Sequence, residues 1–486
     1  MVAPAALVAA IIGVAGAAAA ASLAGLGVAE AATLAASVAS LILSVFSVVY
    51  TRAGTPLLEG ELWVDPYSSW MLLLVSLVYV LTALPSIHLT RRGGLRGLRG
   101  ESYYLLVNSA FAAMFLIAVF NDLFLAWILL EVCTILTVYL VCIRGGGASV
   151  EAAWKYFMIC AVGMSFSLYG LVTVYSIGAS IGVAEPWRWT SLALASGELA
   201  ARPRSLVAFM FILAGFSVKA GLFPLHFWLP DAYAEAPTPV SVLLAGALTF
   251  LPLYVLLRIS YLIPPGSMVF SLLLAVAVAT ILYASAGMLV TRDVKRLLAY
   301  SSMEHMGIMA FMIYLVHEGV GSIALLAFAI HSIGHAVAKS AAFVSSGLVE
   351  EYRGSRLIDR LAPVYQVDWL VGGSLVAFLL ALLGCPPFPL FISELFGAAA
   401  CGTAATLATY IAVVLAAFAA LAYRMVNMLR AHDAHHDAAD AAPSGSCPAC
   451  YRVAVYVAVA ALVALTILSP MVGRLAQPLT RWIRGW

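Results

Sequence analysis

Apolar runs of roughly twenty residues recur along the whole chain, separated by short stretches that hold most of the charge. That is the length a helix needs to cross the hydrocarbon core of a bilayer. Alternation with a period of two is absent, which argues for helices rather than barrel strands. The pattern predicts about fourteen spans, with cores near 4–26, 30–50, 67–89, 103–120, 122–143, 153–178, 205–223, 238–262, 268–290, 299–316, 321–348, 368–398, 404–428 and 452–471. Two spans are interrupted, one at Gly221-Leu222-Phe223-Pro224 and one at Gly384-Cys385-Pro386-Pro387. A proline inside a helix removes a hydrogen bond and clashes with the preceding turn. Within a bilayer such a break persists only where it faces protein or a water-filled cavity. The expected fold class is an all-α polytopic membrane protein of about fourteen transmembrane helices with two broken helices.

Composition removes the soluble alternatives. Of 486 residues, 64% are hydrophobic and 10% charged, with mean hydropathy +1.04. A soluble domain is about 25% charged, so the solvent for this chain is lipid. A net charge of +2 offers nothing to a nucleic acid. The first run, Ala3 to Leu26, lacks a basic leader segment and is too long for a signal peptide, so it reads as a retained helix. Cys447 and Cys450 form one C-x-x-C near His432, His435 and His436. A zinc site takes four ligands and there is no second pair nearby, so no metal is assigned.

Basic residues in the loops set the orientation. One side holds Arg91, Arg92, Arg96, Arg99, Arg144, Arg292, Lys295, Arg296, Arg353, Arg356, Arg360, Arg424, Arg430 and Arg452. The other holds Arg52, Arg188, Arg202, Arg204, Arg474, Arg481 and Arg484. The first side is expected to be cytoplasmic in the cell membrane, which puts both termini outside.

The chemistry lies in the charges left within the spans: Glu131, Lys155, Lys219, His226, Glu304, His305, His331, His335, Lys339 and Glu394. A charge at the centre of a membrane helix costs about 2.5–3.5 kcal/mol on insertion scales, so it normally faces a partner or a hydrated path. Structural pairing alone does not need so many titratable groups on so many spans. His331, His335 and Lys339 are each four apart and share one helical face, spread over roughly 12 Å. Imidazoles titrate near neutrality and a desolvated lysine gives up its proton more readily, so this stripe can relay protons. The plainer alternative is three polar groups bonded to a neighbouring helix. Lys219 lies just before the Pro224 break and Glu394 just after the Pro386-Pro387 break, where freed backbone groups can hold water. Glu151 and Lys155, four apart near a helix end, fit an ordinary ion pair as well as a functional one.

The two breaks suggest an internal duplication. Residues 1–100 would hold helices 1–3, 101–262 a first five-helix repeat, 263–430 a second, and 431–486 a loop and the last helix. Five is odd, so the second repeat would be inverted, as in inverted-repeat transporters.

Several stretches resemble a known family: LLEVCTILTVYLV (129–141), EAAWKYFMICAVGMSFSLYG (151–170), KAGLFPLHFWLPDAYAEAPTPVSVLLAG (219–246), DVKRLLAYSSMEHMGIM (293–309), HAVAKSAAFVSSG (335–347) and PPFPLFISELF (386–396). They resemble the antiporter-like subunits of respiratory complex I and of multisubunit cation/proton antiporters, most of all the component F type subunit of hydrogenase-4-like energy-converting hydrogenases. The resemblance implies a fourteen-helix fold with two inverted five-helix repeats and a role in moving protons or sodium in step with electron transfer. It implies that Glu131 pairs with the broken-helix Lys219, that Lys339 is the central lysine with His335 beside it, that His305 comes after the SS motif, and that Glu394 is the broken-helix group of the second repeat. It also implies partner membrane subunits and a peripheral redox arm. One position departs from the pattern: where several relatives carry a lysine in the eighth span, this chain has Phe250, which cannot relay a proton. Neither a G-x-G-x-x-G fingerprint nor a four-cysteine cluster motif occurs, so no cofactor is expected in this chain. The alternative reading is a subunit of a secondary cation/proton antiporter without redox chemistry.

Overall fold

The structure, a computed structural model, describes residues 2–51, 54–361, 363–364, 369–430 and 448–484. Cys447 and the histidines of its loop lie outside the described residues. The chain opens with α1 (Val2–Ala21), α2 (Leu26–Tyr50), α3 (Pro66–Arg91), α4 (Gly100–Val119), α5 (Leu123–Val141) and α6 (Gly147–Ser180). Two short helices, α7 (Trp189–Leu194) and α8 (Ser196–Ala200), lead to a broken span made of α9 (Pro203–Lys219) and α10 (Trp228–Glu235). The next span is α11 (Thr238–Leu243), a π-helical segment Leu244–Leu248, and α12 (Phe250–Ser260). Then come α13 (Met268–Val290), α14 (Val294–Glu318), α15 (Gly321–Arg353), α16 (Ile358–Leu361), a second broken span of α17 (Trp369–Leu382) and α18 (Pro389–Ala399), α19 (Ala404–Leu429) and α20 (Ala449–Arg484).

Among the described residues, eleven helices are long and apolar enough to cross a membrane. The three other expected spans fall on α14, which carries more polar residues, and on the pairs α9/α10 and α17/α18, each cut short by its break. The sequence pattern predicts no strands, yet β1 (Thr55–Leu57) and β2 (Leu62–Val64) form an antiparallel hairpin. Three residues per strand are too few to leave a periodic signal.

The span Thr238–Ser260 is wholly buried, and α3 and α15 nearly so. α15 is central, packing on α3, α11, α14, α17, α18 and α20. α6 packs along both α9 and α10, just as α15 packs along both α17 and α18. Each break contains a positive-φ glycine, Gly221 at +73° or Gly384 at +66°, followed by a cis prolyl bond. The amide of Phe223 that the first break frees is satisfied by Thr280 Oγ1 on α13 at 3.0 Å.

A second likeness lies in the caps. Asp122 accepts from the amides of Phe124 and Leu125 at 2.7 and 3.1 Å. Asp293 accepts from those of Lys295 and Arg296 at 2.8 and 3.1 Å. Both satisfy amides that a helix start leaves open. Each cap also bridges to the segment after the following helix. Leu123 and Trp189 amides bond Trp187 and Asn121 carbonyls, and Val294 and Ile358 amides bond Arg356 and Arg292 carbonyls. The two caps lie at opposite ends of the molecule. Arg144, beyond the far end of α5 from Asp122, pairs with Glu350, and Glu350 lies with Lys295 and Arg356 beside Asp293.

Candidate functional site

Lys219 ends α9 at the first break and is 2% exposed. Its ammonium lies over the Tyr156 ring, 5.5 Å from the centroid, and has no hydrogen-bond partner. An aromatic face attracts a desolvated cation. Tyr156 is fixed by Thr137 at 3.0 Å and by stacking on Trp228, whose indole donates to the Val218 carbonyl at 3.0 Å. Glu131 on α5 interacts electrostatically with Lys219, but the two make no contact ion pair. The structure shows no contact between the carboxylate and ammonium groups of the expected pair.

Beyond Lys219 the interior is aromatic. Tyr233 donates to Thr249 Oγ1 at 3.4 Å and to the Leu244 carbonyl at 3.2 Å. Leu244 opens the π-helical segment, whose wide turn leaves carbonyls for such side-chain bonds. Phe250, which follows Thr249, sets its ring against His335, with centroids 5.3 Å apart. The position that breaks the family pattern thus stands between Lys219 and the histidines.

The second cluster is denser. His331, His335 and Lys339 are fully buried on α15. His305 on α14 meets the stripe: its ring lies 5.1 Å from His331 and 4.6 Å from His335. His305 Nδ1 and His331 Nε2 are 3.1 Å apart, and His331 Nδ1 is 2.9 Å from Ser393 Oγ on α18. Lys339 donates to the Leu298 carbonyl at 3.1 Å and interacts with Glu304, the neighbour of His305. Glu304 Oε2 lies 3.5 Å from His305 Nε2. Glu394 turns back onto its break, its Oε2 2.5 Å from where a Cβ on Gly384 would sit. Glu304 and Glu394 line a cavity of about 10 Å³ with Leu382, Leu383, Val414 and Phe418, room for about one water.

Not every expected residue joins these clusters. His226 is buried at the Pro224 break among Phe223, Tyr283 and Phe227, and both its nitrogens lack hydrogen bonds. Lys155 is not embedded: it is 37% exposed and pairs with Glu151 at 2.6 Å and Asp231 at 3.1 Å. With Glu235 and Arg296 these groups line a cavity of about 270 Å³ at the Asp293 end. His305, His331 and Glu394 place potential metal-ligand atoms within 4.8 Å of one another. The two imidazoles already bond each other there, so a metal would have to displace that bond. Sequence reasoning missed the pair Asp65–Arg258, joined at 2.5 and 2.6 Å, with Tyr254 and Ser68 around the guanidinium. An arginine inside the run 238–262 was the available signal. Arg424, expected beside a loop, is buried in α19 and donates to the Met288 and Leu289 carbonyls.

Fold and site together define a polytopic helical membrane protein with two broken helices and two clusters of buried or half-buried acids and bases in its interior. The chain belongs to the family described as NADH:quinone oxidoreductase/Mrp antiporter, TM, which matches residues 120–420. It is 37% identical to "Hydrogenase-4 component F homolog" of Methylacidiphilum infernorum over 301 residues, 60% of this chain and 61% of that protein. It is 31% identical to "NADH-quinone oxidoreductase subunit N" of Desulforudis audaxviator over 70% of this chain and 66% of that one. The matches thus span under two thirds of these relatives' lengths. "NADH-quinone oxidoreductase subunit 14" of Thermus thermophilus is 31% identical over 75% of this chain and 76% of its own. The fold also matches a chain in the membrane-bound sulfane sulfur reductase, an archaeal respiratory membrane complex, with TM-score 0.82, 21% identity and 99% of both chains covered. A chain of the Mrp complex from Dietzia sp. DQ12-45-1b matches with TM-score 0.82 and 20% identity over 97% of this chain and 96% of its own.

Proposed function

We propose that this chain is a proton- or sodium-translocating membrane subunit of a respiratory or hydrogenase-type complex, and that it couples electron transfer on partner subunits to ion movement. The observation that carries the reading is the set of buried or half-buried ionisable groups, Glu131 and Lys219, then His335, His305, His331 and Lys339, then Glu394, with the Tyr233 and Thr249 hydroxyls as protic groups of the interior. Burying so many titratable groups is costly unless they serve a path. The chain crosses fourteen times, counting α14 and each broken pair as one span. Units 101–262 and 263–430 are inverted copies, a reading supported by their matching breaks and by Asp caps at opposite ends. The Asp293 end, rich in paired arginines, faces the cytoplasm of a cell membrane, and both termini lie outside.

In this reading a neighbouring subunit alters the charge near Glu131. The Lys219 ammonium loses its counter-charge and gives up its proton, because an unpaired desolvated ammonium is disfavoured. The proton moves along hydrated groups toward Lys339 and leaves by Glu394. His226, outside both clusters, belongs to the hydrated first break. Partners are the other membrane subunits and a peripheral arm that holds the redox cofactors.

Lys219→Ala in the assembled complex abolishes ion translocation measured in proteoliposomes. Undiminished pumping would overturn the assignment. The likeness to the Mrp chain favours one second reading, a subunit of a cation/proton antiporter. Purification with native partners separates the two: redox subunits support the first, antiporter subunits alone the second.

A further inference from the structure

Two hydrogen-bond directions in the second cluster are fixed by chemistry. Ser393 Oγ lies 2.7 Å from the Leu390 carbonyl. A carbonyl only accepts, so the serine proton is spent there. Ser393 must then accept from His331, which places a proton on His331 Nδ1. Neutral His331 therefore presents a bare Nε2, and His305 must donate its Nδ1–H to it. The order of donation is His305, His331, Ser393, Leu390 carbonyl. It ends on a backbone oxygen, which takes up no proton. Along that chain of donation, a proton pushed onto His331 is not passed on.

The same logic fixes the other face of His305. With Nδ1–H engaged, proton exchange is left to Nε2, which faces Glu304 Oε2 at 3.5 Å, and the Leu382 carbonyl also approaches His305. Glu304 is 4% exposed and lines the one-water cavity that also holds Glu394. It is also the carboxylate that interacts with Lys339.

We propose that Glu304 is a proton carrier, sharing one proton with His305 Nε2 and passing it across the small cavity to Glu394, and that His331 is a positioning residue that holds His305 in the required tautomer. The inference rests on the translocation reading above. In the transfer, the Glu304 O–H bond breaks and a Glu394 O–H bond forms through the intervening space. The His305 Nε2–H then breaks to restore Glu304, leaving His305 neutral with its proton on Nδ1. His305 is recharged at Nε2 from the Lys339 side. No other species is consumed.

The test uses the assembled complex in proteoliposomes, with Lys219→Ala as reference. Glu304→Gln keeps the shape and a hydrogen bond but cannot cycle a proton, and is expected to lower translocation at least tenfold. It should also remove a protonated-carboxyl band from the infrared difference spectrum of turnover. His331→Asn can still accept from His305 Nδ1 and donate to Ser393, and is expected to keep translocation within about threefold of wild type. His331→Leu can do neither and should lose at least tenfold. Glu304→Gln at the wild-type rate while Lys219→Ala is inactive overturns this inference and leaves the broader reading standing. Both variants at the wild-type rate overturn the broader reading. Should Glu304→Gln fail to assemble, an assembled His331→Asn complex as inactive as Lys219→Ala still overturns the proposal.

Discussion

Lys219 and Lys339 hold the same amine in the interior by different means. Lys219 rests on the Tyr156 ring, whereas Lys339 donates to the Leu298 carbonyl. Between them on the proposed path, Phe250 packs against one side of His335. The protic groups at that point are the Tyr233 and Thr249 hydroxyls, bonded to each other. Thr249→Val with Tyr233→Phe therefore slows translocation on the order of tenfold, the rate equivalent of about one lost hydrogen bond in the transfer step. Proton flux in proteoliposomes measures it, and a double variant at full rate places the crossing elsewhere. The stripe His331, His335, Lys339 was legible in the sequence because a spacing of four puts side chains on one helical face. The placing of His305 against it was not, because it depends on how α14 docks on α15. Arg258 escaped notice for a similar reason: its partner Asp65 is remote in sequence and caps a different helix, accepting from the Ser68 amide at 2.9 Å.

Both helix breaks were legible because glycine followed by proline at such spacing defeats a helix locally. The local structure on the far side of the first break was not legible. The half-helix α10 is short, and in the run that holds the π-helical segment Leu244–Leu248, Gly246 and Pro252 mark a weakened helix without fixing which turn changes. The second break has a measurable consequence. Gly384 is in the left-handed region at φ +66°, and a methyl group there would meet the Glu394 carboxylate. Gly384→Ala is expected to cost about 1–2 kcal/mol of stability from the backbone alone. It also displaces the Glu394 carboxylate, so ion translocation falls while the complex still assembles. A matched control is Gly373→Ala on α17, where a methyl meets nothing within 4 Å. Thermal melting in detergent and flux together separate the two effects, and a Gly384→Ala protein with normal flux would show that Glu394 does not need its place at the break.

Across the whole molecule, ion pairs at the Asp293 end tie the two proposed units together, with Glu350 at the centre of one group and Arg296–Asp231 at 2.8 Å beside it. Glu350, on α15, pairs with Lys295 at 2.8 Å and with Arg144 at 3.4 Å, and Arg356 approaches it at 4.0 Å. Arg144 belongs to residues 101–262, whereas Lys295 and Arg356 belong to residues 263–430. Arg356 also reaches back to Glu235 and to the Ala234 carbonyl of α10, beside the first broken helix. Lys295 is fully buried, so its charge has no water to turn to when its partner is removed. Breaking a buried pair by deleting one member costs about 3–5 kcal/mol, far more than an exposed pair is worth. Glu350→Ala is therefore expected to lower the melting temperature of the detergent-solubilised protein markedly. Glu151→Ala, which removes only a rim partner of Lys155, should leave it nearly unchanged. Adding Lys295→Met to Glu350→Ala removes the stranded charge and should recover much of the loss. If the single Glu350→Ala variant melts like wild type, Glu350 behaves as a solvated surface group and contributes little to holding the two units together.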